Sequence, residues 1–142
     1  MLFHINKSRP IVAYFGLIRH GKGLEDLVKA WRRVLEKVDA EMLIIGGRHP
    51  YLKDNCYENL VKLIRKLGLE RSIHFCGYVP NDMLPAYFTR SDVFVFPYNE
   101  WGDVYRHSVD ITLKTCSFFK LFRAGVKYPI EVRSHVRMLD NL

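Results

Sequence analysis

The first residues with chemical potential are Gly16-Leu17-Ile18-Arg19-His20-Gly21-Lys22-Gly23, which spell GxxxxGK between an apolar run and an amphipathic one. A glycine-rich turn entering a helix offers free backbone N–H groups, and a lysine beside it adds a full positive charge, so the pattern suits a phosphate. A nucleoside triphosphatase would need Ser or Thr next, to hold magnesium, and an apolar strand ending in Asp. The next residue is Gly23, and the apolar runs end in Gly46, Gly77 and Pro97. What remains is metal-free: Arg19 and Lys22 beside a helix start, holding a diphosphate through charge and backbone amides. The competing reading is a solvated basic turn with Gly23 as the helix cap. The six histidines, at 4, 20, 49, 74, 107 and 135, are dispersed with no helical pair and no cysteine neighbour, so no metal cluster is predicted. His74, inside an apolar run, reads as a packed or edge-strand residue.

The elements that must position this loop follow from hydrophobic period. Residues 11–15 form a short, partly β-branched run that stops at Gly16, the pattern of a buried strand. Leu24, Leu27, Val28, Trp31, Val34, Leu35 and Val38 then recur at helical spacing, with Lys29, Arg32, Arg33 and Glu36 opposite. Residues 42–45 make a second strand before Gly46-Gly47. Residues 57–67 are helical, with Leu60, Leu63, Ile64 and Leu67 inward and Gly68 as the stop. Residues 72–75 make a third strand, Asn81 or Asp82 caps a short helix through Phe88 with Pro85 in its first turn, and residues 92–97 make a fourth strand. This alternation predicts an α/β, Rossmann-like, mostly parallel sheet with flanking helices. Ligands of such sheets sit beyond the carboxyl ends of the strands, which here are the four loops rich in Gly and Pro.

The order of Gly16-Leu-Ile-Arg19-His-Gly-Lys22-Gly23, then Leu43-Ile44-Ile45-Gly46-Gly47, then Ile73-His74-Phe75-Cys76-Gly77-Tyr78-Val79-Pro80, then Ser91-Asp92-Val93-Phe94-Val95-Phe96-Pro97 resembles the C-terminal domain of group 1 glycosyltransferases. These are the retaining GT-B enzymes of family 4, and the resemblance runs over residues 11–102. It implies one GT-B half-domain that binds a nucleotide-diphosphate-sugar donor (a UDP-, GDP- or ADP-sugar) as substrate, with no tightly bound cofactor and no metal. It implies that Gly16, Arg19, Lys22 and Gly23 hold the donor diphosphate and that Tyr78 and Val79 line the nucleobase. It also implies that Glu100, the first of the family's paired glutamates, sits by the donor sugar as the catalytic carboxylate. Arg19 stands two residues beyond the family's usual arginine position. The second glutamate's position holds Ser108, and Asp110 does not take over its role.

After Gly102 the pattern fails, so the chain divides into a donor-binding core at 1–102 and a divergent, basic segment at 103–142. Ala124-Gly125-Val126-Lys127-Tyr128-Pro129-Ile130 is a faint echo of the family ending. A truncated or frame-shifted ending accounts for this, with a divergent subfamily tail as the alternative. No acceptor-binding domain precedes the core, so the chain is expected to be incomplete alone, and a separately encoded acceptor domain or self-association is the expected partner.

The 142 residues are 49% hydrophobic and 13% aromatic, which excludes disorder, and they contain no apolar run long enough to span a membrane. The N-terminus lacks a secretory pattern, and Cys56, Cys76 and Cys116 form no CxxC pair, so a cytoplasmic location is expected. Twenty-two Lys and Arg against fifteen Asp and Glu give +7. That charge suits phosphorylated ligands and is compatible with peripheral contact at an anionic membrane, but the aromatics do not interleave with the basic residues as a nucleic-acid platform requires. The function that the group 1 resemblance implies is hexosyl transfer from a nucleotide sugar. The alternatives are a non-catalytic remnant or oligomeric interaction module, and a basic nucleic-acid-binding α/β domain.

Overall fold

The computed structural model describes residues 8–98 and the pair 121–122. Strands β1 (Ile11–Phe15), β2 (Glu41–Ile45), β3 (Ile73–Gly77), β4 (Val93–Val95) and β5 (Leu121–Phe122) alternate through the described core with helices α1 (Leu24–Leu35), α2 (Cys56–Lys66) and α3 (Leu84–Arg90). They build one sheet in the order β3-β2-β1-β4-β5, and every strand pairing is parallel. The predicted α/β, parallel, Rossmann-like class is what the chain adopts. Parallel strands are covered on both faces, which is why β2 is buried along its whole length and reads as a continuous apolar run.

Strand order reverses at β1. The chain steps outward from β1 to β2 and β3, then returns to place β4 on the other side of β1. The loops leaving β1 and β4 therefore sit side by side at the topological switch point, where open α/β sheets bind their ligands.

The helices pack by their apolar stripes. Leu24, Val28 and Trp31 are the buried residues of α1, which packs against α2 and its buried Leu60 and Ile64. The Trp31 indole donates to Ser72 Oγ at 3.1 Å, tying α1 to the approach to β3. α2 stops in a Schellman motif: Leu69 N–H donates to Ile64 O and Gly68 N–H to Arg65 O, each at 3.0 Å. Under α3, Phe88 stacks edge-on against Phe15 and Phe94 with ring centroids 5.0 and 5.2 Å apart.

Several details differ from the periodicity. α1 ends at Leu35, so Val38 lies beyond the helix, and Val34 and Val38 are exposed rather than inward. α3 starts at Leu84 with Met83 as its cap, not Asn81 or Asp82. The Pro80 carbonyl accepts from both Met83 and Leu84 N–H, so backbone does the work expected of a side chain. β3 runs on to Gly77 through a register shift opposite Ile44 and Ile45. β5 was not foreshadowed, because a two-residue strand carries no period.

At the amino ends of the strands, polar groups close the sheet. Glu41, 4% exposed, accepts from Arg9 at 2.9 Å and faces His74 Nε2 at 2.5 Å, and Arg9 also reaches Asp39. Asp92 Oδ2 accepts from Ile11 N–H at 2.7 Å. These contacts lie at the end of the sheet opposite the glycine loops.

Candidate functional site

Backbone bonds hold the start of the loop leaving β1. Gly16 N–H donates to Ile45 O at 3.0 Å and Ile18 N–H to Gly47 O at 2.9 Å, so it runs as a continuation of the sheet beside the loop leaving β2. The buried Tyr14 hydroxyl donates to Leu17 O at 2.9 Å and staples the loop from below. The loop leaving β3 joins the same set, with Gly46 N–H donating to Gly77 O at 2.9 Å. Three of the four loops rich in Gly and Pro are thus bonded into one surface.

Two glycines are required by close approach. Gly46 has φ +135°, and a Cβ on it would lie 2.0 Å from the Gly16 carbonyl oxygen. Gly23 caps α1 in the left-handed region, φ +69°, and a Cβ there would lie 1.7 Å from the Pro97 carbonyl oxygen. The second contact matters most for the site, because it clamps the start of α1 against the chain leaving β4. Gly23 has no side chain to cap α1, and among the described residues no side-chain cap bond is made there, so the start of α1 can offer backbone N–H groups.

Lys22 sits in this clamp and is 3% exposed. Its ammonium lies 4.4 Å from the centroid of the Tyr98 ring, which is itself fully buried. Burial, with the Arg19 cation alongside, pushes the Lys22 pKa down to about 8. The cation has lost most of its water and gained a ring face in return. Arg19 is half-buried. Its stretch of loop, with His20, Gly21 and the first turn of α1, also lines a cavity of about 190 Å³ that reaches Cys56 and Leu60. Glu25 and Asp26 stand on that cavity beside Arg19, so its polarity is mixed. Among the described residues, no three His, Cys, Asp or Glu side chains gather as a metal would need.

The fold and this loop arrangement coincide with one family. The model of "Glycosyl transferases group 1" matches residues 3–102. The chain belongs to that family. A GDP-mannose-dependent alpha-(1-6)-phosphatidylinositol monomannoside mannosyltransferase of Mycobacterium tuberculosis is 36% identical over 90 residues, covering 63% of this chain and 22% of the relative. The C-terminal domain of a glycosyl transferase group 1 protein from Francisella tularensis superposes with a TM-score of 0.57 at 25% identity, over 68% of this chain and 51% of that one. An Anabaena protein, HepE, solved with UDP and glucose, shares the fold with a TM-score of 0.57 at 20% identity, over 68% of this chain and 26% of that one. The chain spans about a quarter of the length of the curated relatives it matches.

Against this group 1 frame, Gly16, Arg19, Lys22 and Gly23 fall on one loop at the switch point. Tyr78 and Val79 follow β3, at the sheet edge, two strands from β1. They part company there: Tyr78 is 81% exposed, while the Val79 side chain is buried in the core and leaves only its backbone for a ligand. Glu100 and Ser108 lie outside the described residues. Tyr98 and Tyr14 were not singled out from sequence. Tyr98 continues the apolar residues that end β4, and nothing in that pattern separates a ring under a lysine from a ring in the core.

Proposed function

We propose that this chain is the donor-binding side of a group 1 glycosyltransferase, holding a nucleoside-diphosphate sugar for hexosyl transfer to an acceptor. The observation that carries the reading is the desolvated Lys22 ammonium, clamped beside the uncapped start of α1 where the sheet order reverses. A diphosphate reaching that corner meets a cation already stripped of water and backbone N–H groups without side-chain caps, so charge–charge attraction acts at low local dielectric. Arg19 adds a second cation from the same loop. Tyr78 offers an exposed ring and Val79 its backbone to the nucleobase, and Glu100 is assigned to the donor sugar by the family pattern. The donor is UDP-, GDP- or ADP-linked, and no tightly bound cofactor takes part.

An acceptor-binding domain, in the same polypeptide or a partner, completes the reaction, because transfer rate depends on holding both reactants in one geometry. A cytoplasmic setting, where nucleotide sugars are available, agrees with the free Cys56 and Cys76 thiols. The test is calorimetric titration of UDP-, GDP- and ADP-sugars into the wild type and Lys22→Ala. One of the three binds the wild type and is lost with Lys22; no binding by any, or binding indifferent to Lys22, overturns the reading. A second reading rests on Ser108 standing where a glutamate belongs: a non-catalytic, self-associating remnant. Sugar transfer or donor hydrolysis by the purified chain would rule that out.

A further inference from the structure

We propose that Tyr98 is a positioning residue for donor binding: its ring face holds the Lys22 ammonium at the switch point in its charged form. This rests on the donor-site reading for its consequence, though not for its geometry. β4 ends at Val95, Phe96 is buried, Pro97 presses its carbonyl against the Gly23 cap, and the next residue brings its ring beneath Lys22. Gly23 follows Lys22 directly and Pro97 precedes Tyr98, so the one close backbone contact sets both partners of the cation–ring pair. Phe96 packs edge-on against the Tyr98 ring at 5.8 Å and limits its freedom to turn away.

The chemistry calls for such a partner. A lysine ammonium buried beside a second cation tends to lose its proton, and a neutral amine is a poor ligand for a diphosphate. An aromatic face attracts the cation while presenting no carboxylate that would compete with, or repel, the incoming phosphates. Among the described residues, Arg19 on the same loop places a second cation near Lys22 and works against the proton. The Tyr98 ring, from the far side of the clamp, works for it.

The experiment follows the ¹³Cε resonance of Lys22, assigned by its loss in Lys22→Met, through a pH titration of wild type, Tyr98→Phe and Tyr98→Leu. Calorimetry with UDP, GDP and ADP at pH 6 and pH 8 runs in parallel. Tyr98→Phe keeps the ring and keeps the midpoint. Tyr98→Leu lowers the midpoint by about one pH unit, the size a desolvated cation–ring contact implies. Diphosphate binding by Tyr98→Leu then weakens about fivefold at pH 8, with a smaller loss at pH 6 where both proteins stay charged. If Tyr98→Leu does not fold, phenylalanine with increasing ring fluorination at position 98 keeps the shape and drains the face, and the midpoint falls stepwise with each fluorine. A midpoint unchanged by loss or fluorination of the ring overturns the proposal, as does an equal fall in Phe and Leu. A midpoint that moves as expected in a chain that binds none of the three nucleotides keeps Tyr98's hold on Lys22 and removes the donor reading instead.

Discussion

Replacing Lys22 by methionine is expected to make the protein more stable and less able to bind a diphosphate. Methionine fills a similar buried volume without a charge. Folding lowers the Lys22 pKa from 10.5 to about 8, so the folded state holds that proton less tightly than the unfolded chain. The sign follows directly: the unfolded chain binds more protons, and wild-type stability therefore rises with pH through this window. Below pH 8 the burden is fully present and amounts to about 3 kcal/mol at about 1.4 kcal/mol per pH unit. Between pH 8 and 10.5 it fades, because the unfolded lysine also sheds its proton. Urea unfolding at pH 7 should show Lys22→Met more stable by about 1–3 kcal/mol, the lower figure allowing for the lost ring contact. Repeated at pH 10, the gap should shrink to less than about 1 kcal/mol. A Lys22→Met protein that is no more stable at pH 7, or whose advantage does not fall with pH, would refute the claim that the site holds its lysine at the expense of stability.

Other perturbations separate the clamp from the rest of the fold. Gly23→Ala forces a Cβ into the Pro97 carbonyl at a positive φ and should cost about 2 kcal/mol or more, read by the urea midpoint, with diphosphate affinity falling at the same time. Glu41→Gln, at the opposite end of the sheet, should cost about 1–3 kcal/mol by weakening bonds to Arg9 and His74. Donor affinity, measured where the variant is folded, should not change. Burial pushes the Cys76 thiol up to about 11, so native Cys76 should resist iodoacetamide at pH 7 and react only after unfolding, as peptide mass mapping would report. Rapid native alkylation at Cys76 would show that the strand is less protected than its packing implies.

Much of the fold is legible in the linear order of residues, because each element carries its own local cause. The run at 42–45 is apolar throughout because a strand flanked by strands and covered on both faces can be nothing else. The helical spacing from Leu24 to Trp31 needs one dry face, and the glycines and lysine of the GxxxxGK loop suit an anion turn as well as a solvated basic one. Where local causes are weak, period and structure diverge. Val34 and Val38 are apolar at helical spacing yet exposed, since the helix stops at Leu35 and period alone cannot report an ending. Met83 became the α3 cap because Pro80 supplied a carbonyl, a backbone service that side-chain identity does not advertise.

By itself the sequence determined the class of this protein: parallel α/β layers, a phosphate-type loop after the first strand, and a group 1 resemblance spread over four ordered motifs. Tertiary structure decided what that loop faces. Lys22 and Tyr98 are far apart in the chain, and only the return of β4 to the free side of β1 sets a ring beneath the lysine. The same return presses Pro97 onto Gly23, turning a permissive cap into an obligatory glycine. Both outcomes depend on distances between segments that are remote in sequence, and no local period or composition encodes such distances.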